Sequence, residues 1–128
     1  MRFLLDTHTF IWWASGDPTL SPTATIAIGN RNNEIFLSAV STWEMAIKIG
    51  LGKLTIAQSL RSLVQSQIQA NQFQQLVVTH DHTFQVENLP AHHKDPFDRL
   101  LIAQAFVENL VVVTRDPEFA KYGVSLLW

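Results

Sequence analysis

Four acidic residues lie at the borders of apolar segments, where side chains from distant parts of a chain can be brought together. Asp6 closes a short apolar run, and Asp116 comes two residues after a run rich in β-branched side chains. Glu44 and Asp98 lie in the first turns of two predicted helices. Carboxylates held close together repel one another, and some become protonated unless a cation compensates them. In a chain without cysteine, such oxygen ligands favour Mg²⁺ or Mn²⁺, so the four acids are candidate ligands of a divalent metal ion.

Strands alternate with helices along the chain. Apolar runs predict five strands, at residues 2–5, 34–38, 76–79, 110–114 and 124–127. Apolar spacing and capping signals predict helices at residues 7–14, 22–29, 41–49, 56–71 and from 96 onward, with a short helix or turn at 81–88. The strands are continuously apolar, as strands covered on both faces must be. The sequence therefore predicts an α/β fold, a three-layer α/β/α sandwich with a mainly parallel central sheet, in one domain spanning residues 1–128.

The predicted fold places the four acids at one edge of the sheet. In an open parallel sheet, the carboxyl ends of the strands and the beginnings of the helices that follow them share one edge, and ligands bind there. Each acid also has a structural interpretation as a helix cap. The segment Ser41–Glu44 has the pattern of a capping box with Glu44 at the third helical position, and Asp6, Asp98 and Asp116 could each favour a helix beginning. Capping alone, however, does not require the acids to share an edge.

Asp95 is a fifth acid, three residues before Asp98. It is followed by Pro96, and the Asp-Pro pair is typical of an N-cap and first helical position. We interpret Asp95 as the cap of this helix. From that position it could support a metal ligand without binding the metal itself.

Composition limits the function classes that fit the chain. Hydrophobic residues make up 47% of the 128 residues and charged residues 16%, so some apolar surface is expected to be shared with a partner. The net charge of −2 argues against a polyanion ligand, but eleven acids oppose nine Lys and Arg. If four acids bind metal, seven remain and the rest of the protein carries +2 (9 − 7). A metal site would therefore remove the charge argument against nucleic acid.

No apolar run approaches the roughly 20 residues that a membrane span needs. The apolar run at the N-terminus is also too short for a signal peptide. A cytoplasmic protein without membrane association is therefore expected.

Four motifs, taken in order, resemble those of the PIN domain, and most closely those of VapC-type toxins of bacterial toxin–antitoxin pairs. They are Leu4-Leu5-Asp6-Thr7-His8, Ser41-Thr42-Trp43-Glu44 with Lys48, Asp95-Pro96-Phe97-Asp98-Arg99-Leu100-Leu101-Ile102-Ala103, and Val113-Thr114-Arg115-Asp116. The resemblance runs from Asp6 to the last strand. No single motif is specific, but the ordered set is.

This resemblance implies a Mg²⁺- or Mn²⁺-dependent ribonuclease that is toxic when free and is neutralised by an antitoxin. By motif, Asp6, Glu44, Asp98 and Asp116 correspond to the catalytic, metal-binding quartet. Thr114 corresponds to a hydroxyl position just before the last acid. Divalent ions lower the pKa of bound water and neutralise charge on the attacked phosphate. Because water rather than the ribose 2′-hydroxyl attacks, the expected products carry a 5′-phosphate and a 3′-hydroxyl.

Three basic residues accompany these acids in the sequence. Lys48 lies one turn beyond Glu44, while Arg99 and Arg115 directly follow acids. They are candidates for phosphate contacts along an RNA-binding rim, although ordinary solvated charge or a Lys48–Glu44 ion pair explains them equally well. Four histidines, His80, His82, His92 and His93, are interpreted as loop residues rather than metal ligands.

Two adjacent tryptophans, Trp12 and Trp13, cannot face the same side of a helix, so one of them is expected to be exposed or at an interface. Such a surface would fit a homodimer, a groove for the antitoxin or a base-stacking site. The expected partners are thus an RNA substrate, a cognate antitoxin and a second copy of the chain.

Other α/β proteins with clustered acids are competing interpretations. A receiver-type phosphoacceptor domain would need a lysine at the end of a late strand, but the last strand leads to Trp128. A haloacid-dehalogenase-like phosphatase would need a second aspartate two residues after the first, where this chain has His8. A non-catalytic binding module whose acids are helix caps remains as the alternative.

Overall fold

A five-stranded sheet with all strands parallel forms the centre of the computed structural model, which describes residues 1–128. Its strands are β1 (Arg2–Leu5), β2 (Glu34–Ser38), β3 (Gln74–Leu76), β4 (Val111–Val113) and β5 (Leu126–Leu127). Their order is β3-β2-β1-β4-β5, which makes β1 the central strand. The predicted α/β class and the predicted parallel sheet are confirmed.

Seven helices connect and cover the strands. They are α1 (Thr7–Ser15), α2 (Pro22–Gly29), α3 (Ala39–Gly50), α4 (Leu60–Asn71), α5 (His80–Glu87), α6 (Pro96–Glu108) and α7 (Pro117–Ala120). Two apolar cores lie on opposite faces of the sheet, and alternate residues of β1 contribute to each. Phe3 and Leu5 pack with Phe10 of α1, whereas Leu4 packs with Leu101 of α6 and Phe119 of α7. None of the helices combines the length and apolar character that a membrane span requires.

Helix α3 begins earlier than the sequence predicts. Ser38 is its N-cap, and the Ser38 hydroxyl accepts a hydrogen bond from the amide of Val40 at 3.0 Å. The helix therefore starts at Ala39 rather than at Ser41, and Glu44 falls in its second turn. The predicted capping box is wrong, because the first of two nearby serines caps the helix. Glu44 is thereby released from any capping role.

Strand β3 also differs from the prediction. It pairs with β2 through Gln74–Leu76, so only Leu76 of the predicted strand 76–79 lies in the sheet, and residues 77–79 follow it. Val77 and Val78 are exposed, and Thr79 caps α5. Helix α4 starts at Leu60 instead of residue 56 because the Ser59 hydroxyl accepts the hydrogen bond that begins it. β4 and β5 are shorter than predicted.

A buried polar network joins the two helices that carry Glu44 and Asp98. Gln104 of α6 is fully buried, and its Oε1 accepts a 2.6 Å hydrogen bond from the Ser38 hydroxyl. Its Nε2 lies 3.3 Å from both the Val77 carbonyl oxygen and His82 Nδ1. The α3 cap is thus fixed to the middle of α6, which sets the spacing of these helices at the sheet edge.

Candidate active site

Asp6 lies at the end of the central strand, between two elements that hold both of its carboxylate oxygens. The Thr9 amide donates to Oδ1 at 2.7 Å, so Asp6 caps α1. The Thr114 hydroxyl, from the end of β4, donates to Oδ2. Burial raises the pKa of Asp6, and the hydrogen bonds from Thr114 and Thr9 oppose this effect. Both bonds fix the carboxylate against the adjacent strand.

Glu44 reaches the same edge from the second turn of α3. Its Oε1 accepts a 2.7 Å hydrogen bond from the hydroxyl of Thr7, and its Oε2 lies 2.5 Å from Lys48 Nζ. The side chain of Glu44 is only 4% exposed. A buried carboxylate held by a hydroxyl and an ammonium is fixed in position, and here it binds α3 to the beginning of α1.

Asp116 caps the short helix α7 and also approaches Asp6 through Thr114. Its Oδ1 accepts from the Glu118 amide at 2.9 Å, and its own amide donates to the Thr114 hydroxyl oxygen at 3.0 Å. Asp116 Oδ2 makes no hydrogen bond within the protein. A cleft of about 310 Å³ opens beside these acids; its lining residues are Asp6, His8, Trp12, Arg115, Asp116 and Pro117.

Asp98 lies in the first turn of α6, one turn away from the cap that Asp95 provides. Asp95 Oδ1 accepts from the amides of Phe97 and Asp98 at 2.9 and 3.1 Å, as the Asp-Pro pair predicts. Burial raises the pKa of Asp98 to about 8, reinforced by repulsion from four carboxylates, Asp95, Asp116, Glu44 and Asp6. The structure thus brings all four acids of the predicted quartet to one edge of the sheet, with Asp95 beside them.

The carboxylate oxygens of these acids are suitable ligands for a hard divalent cation, but the side chains do not surround one common position. No three acidic or histidine side chains lie close enough together to hold a metal ion as they stand. Asp98 Oδ1 and Asp116 Oδ2 have no hydrogen-bond donor, and burial together with repulsion from neighbouring carboxylates raises the pKa of Asp98. A cation would relieve that repulsion, and its binding would require the carboxylates to be drawn closer by side-chain rotation.

The three basic residues have different environments. Lys48 is paired with Glu44, and Arg115 is exposed at the cleft with its guanidinium 5.0 Å from the ring centre of Trp12. Arg99 instead points into the protein, where its Nη1 donates to the Pro90 carbonyl at 2.8 Å. The contacts that Arg99 makes within the protein thus compete with a phosphate contact at the rim. Phosphate contact by Lys48, Arg99 and Arg115 stays a prediction.

The aromatic expectation is corrected in part. Trp12 and Trp13 are both half-buried, packed against Trp128 and Phe73 respectively. The exposed tryptophan is Trp43, which is 53% exposed and packs edge-on against Phe97. An aromatic surface therefore lies beside Glu44 and Asp98 rather than on α1.

Two residues near Asp98 were not identified from the sequence. His93 Nε2 lies 3.4 Å from Asp98 Oδ2, and His93 Nδ1 lies 2.7 Å from the hydroxyl of Tyr122. The position of His93 two residues before Asp95 was the only sequence signal. The prediction of loop positions is wrong for His80 and His82, which both lie in α5; His82 is buried there, at the network around Gln104.

Substitutions of Asp95 test its role as a helix cap, which differs from the role of Asp98. Asparagine caps helices as well as aspartate does, so Asp95→Asn is expected to retain stability within about 0.5 kcal/mol. Asp95→Ala removes both accepted bonds and is expected to lower the free energy of unfolding by about 1 kcal/mol. Urea unfolding of the two variants measures this difference. An equal loss of unfolding free energy in both variants would mean that Asp95 acts through its charge and not through the hydrogen bonds of the cap.

The raised pKa of Asp98 makes stability depend on pH. Its ordinary value is 3.8 and its folded value about 8, so between these values the folded protein holds a proton that the unfolded chain releases. Stability of the metal-free protein is therefore highest below this window and falls as pH rises through it. Asp98→Asn should weaken the dependence of stability on pH and should stabilise the protein near pH 8. Unfolding curves at several pH values check this, and an unchanged profile in the variant would contradict it.

The sequence profile of the PIN domain matches residues 3–124. A search among curated protein sequences finds no match. Solved structures with the same fold include the VapBC2 complex of Rickettsia felis bound to a promoter DNA fragment, with a TM-score of 0.74 and 18% identity over 99% of this chain and 98% of that one.

Two further structures are similar. VapBC-1 of nontypeable Haemophilus influenzae has a TM-score of 0.65 and 14% identity, covering 99% of this chain and 97% of that one. FitAcB of Neisseria gonorrhoeae has a TM-score of 0.62 and 18% identity, covering 98% and 96%. Identities this low establish a common fold only, whereas the profile covers nearly the whole sequence. With a parallel sheet that gathers Asp6, Glu44, Asp98 and Asp116 at one edge, this chain belongs to the PIN domain family.

Proposed function

We propose that this protein is a divalent-metal-dependent endoribonuclease that acts as the toxin of a toxin–antitoxin pair. PIN domains are generally nucleases, and this chain carries the PIN profile over residues 3–124. The observation that carries the proposal is the crowding of four carboxylates around Asp98, from Asp95, Asp116, Glu44 and Asp6. A cation would relieve the repulsion in such a cluster, which lies at the sheet edge where parallel α/β folds bind ligands.

Asp6, Asp98 and Asp116 would hold the metal, with Glu44 bound directly or through a water. When bound, Mg²⁺ or Mn²⁺ supplies an activated water and offsets the charge of the attacked phosphate. Neighbouring side chains of the protein orient these acids. Thr114 and Thr9 orient Asp6, while Thr7 and Lys48 orient Glu44. We propose that a carboxylate of this cluster accepts the proton of the attacking water.

RNA contacts are proposed for the rim of the cleft. Arg115 is exposed there, beside Asp116, and Lys48 is partly exposed next to Glu44. Their charges would offset the repulsion between the phosphate backbone and the acids. Arg99 is a weaker candidate, because its donors are engaged by backbone carbonyls and by Tyr122.

An antitoxin is the proposed protein partner. The similar structures are described as VapBC and FitAB complexes, in which a protein of this fold is accompanied by a second chain. In this chain, one face of α3 is apolar and exposed through Trp43, Ile47 and, just beyond the helix, Leu51. An uncovered apolar face beside the candidate active site supports a partner there. A homodimer stays a second possible use of the same surface.

A cleavage assay tests the proposed activity. Purified protein is incubated with structured and unstructured RNAs in Mg²⁺, Mn²⁺ or EDTA, beside Asp98→Asn and, as a matched control on the exposed end of α5, Glu87→Gln. We expect cleavage only with metal, loss of it in Asp98→Asn, and wild-type rates in Glu87→Gln. Product ends should be 5′-phosphate and 3′-hydroxyl.

Two outcomes would overturn this proposal. Cleavage at an equal rate in EDTA would exclude the metal-dependent mechanism. Absence of cleavage under every metal condition, in a folded protein that still binds its antitoxin, would favour a non-catalytic binding module whose acids are helix caps.

A further inference from the structure

The hydroxyl of Tyr122 lies between Arg99 and His93, close to Asp98. Arg99 Nη1 donates to this oxygen at 3.1 Å, and the backbone amide of His93 donates to it at 3.3 Å. His93 Nδ1 lies 2.7 Å from the same oxygen, and His93 Nε2 lies 3.4 Å from Asp98 Oδ2. The contacts form a continuous chain from Arg99 through Tyr122 and His93 to Asp98.

The two hydrogen bonds that the Tyr122 oxygen accepts favour one direction for the bonds of this chain. A phenol oxygen accepts two hydrogen bonds and donates one. Arg99 and the His93 amide occupy both acceptor positions of Tyr122, so its hydroxyl proton is left for His93 Nδ1. In a neutral imidazole the other nitrogen then carries the proton. In that tautomer His93 Nε2–H faces Asp98 Oδ2 as a donor.

We infer that His93 is a positioning residue for Asp98 and that Tyr122 holds the His93 ring in the tautomer that this task requires. The inference rests on the proposed function insofar as Asp98 is taken as a metal ligand. With Oδ2 held by His93, Asp98 keeps Oδ1 without a protein donor and available to a cation. Hydrogen-bonded partners of this kind orient metal-ligating side chains and strengthen their binding.

Hydrogen bonds, and not packing alone, distinguish Tyr122 and His93 from the residues around them. Tyr122 is buried and is the one tyrosine in the chain, and a phenylalanine would fill the same core position. His92 also packs edge-on against the Tyr122 ring, yet it has no hydrogen bond to Asp98. His92 is thus a matched control for His93: the same ring, one residue away, against the same tyrosine.

The first test determines the tautomer of His93 and needs neither bound metal nor an activity assay. Two-bond ¹H–¹⁵N correlation spectra of ¹⁵N-histidine-labelled protein distinguish Nδ1–H, Nε2–H and the doubly protonated ring, and His93→Gln identifies the His93 signals. We expect the Nε2–H form in the wild type and a shift toward Nδ1–H in Tyr122→Phe. An Nδ1–H or doubly protonated ring in the wild type, or no change in Tyr122→Phe, would overturn the inference.

The second test measures Mn²⁺ affinity by electron paramagnetic resonance of free Mn²⁺. The dissociation constant is expected to rise about tenfold in His93→Ala, less in His93→Gln, which retains an N–H donor, and not at all in His92→Ala. Cleavage by His93→Ala should recover at high Mn²⁺. If the wild type binds no Mn²⁺ and cleaves no RNA, the proposed function fails. If the wild type does both and His93→Ala matches it, only the positioning inference fails.

Discussion

Asp6→Asn is expected to lower the rate of RNA cleavage about a thousandfold and to relieve growth arrest on expression. Asparagine has nearly the same size, and it still accepts the Thr9 amide bond that caps α1. It cannot carry the negative charge, and its amide nitrogen cannot accept the Thr114 hydroxyl proton. The substitution therefore removes the charge of a proposed metal ligand while leaving the helix beginning in place. Initial rates at saturating Mg²⁺ and colony counts after induction measure the two effects.

Asp17→Asn is the matched control for this experiment. Asp17 is also an acid at the margin of α1, where its Oδ1 accepts the Thr19 amide bond, but it does not line the cleft. We expect its cleavage rate to stay within about twofold of the wild type. If Asp6→Asn retained a tenth of the activity or more, Asp6 would be a cap and not a ligand.

The placement of Asp6 and Asp98 could be predicted because it follows from topology. Once apolar strands alternate with helices, right-handed crossovers in a parallel sheet bring the strand ends and the following helix beginnings to one edge. Asp6 ends β1, and Asp98 lies in the first turn of α6. This argument needs only element order, so errors of several residues at strand and helix boundaries do not affect it.

The beginning of α3 could not be predicted for a local reason. Ser38 and Ser41 are both good N-caps, and sequence gives no basis for choosing between them. In the structure Ser38 also donates to buried Gln104, 66 residues away, while Ser41 packs against Thr7. The tertiary contact decides which serine caps the helix. Glu44 reached the predicted edge even so, because an acid one turn further along the helix still faces β1 and α1.

Helix capping and metal binding are compatible roles for these acids, although each can explain an acid at a helix beginning. Asp6 and Asp116 each use Oδ1 to cap a helix, which leaves Oδ2 toward the other acids or Thr114. A strand end that runs directly into a helix places its cap at the ligand-binding edge. The cap then orients the carboxylate, so evidence for capping does not count against a metal site.

Gln104→Leu is expected to lower the free energy of unfolding by about 2–4 kcal/mol, since it leaves buried polar groups without partners. Leucine fills a similar volume, but the Ser38 hydroxyl loses its acceptor and the Val77 carbonyl loses a donor. Gln65→Leu, on the exposed face of α4, is the matched control and should change stability by less than about 0.5 kcal/mol. Urea unfolding of metal-free protein measures both.

A double-mutant cycle with Ser38→Ala separates the hydrogen bond from packing. Ser38→Ala alone removes the α3 cap and the bond to Gln104. If that bond stabilises the fold, the double variant should be about 1 kcal/mol more stable than the sum of the single losses predicts. Strict additivity would mean that Gln104 stabilises the fold without this bond, through its Nε2 contacts and its volume. A coupling would instead show that a polar contact inside the core stabilises the packing of α3 against α6, the helices that carry Glu44 and Asp98.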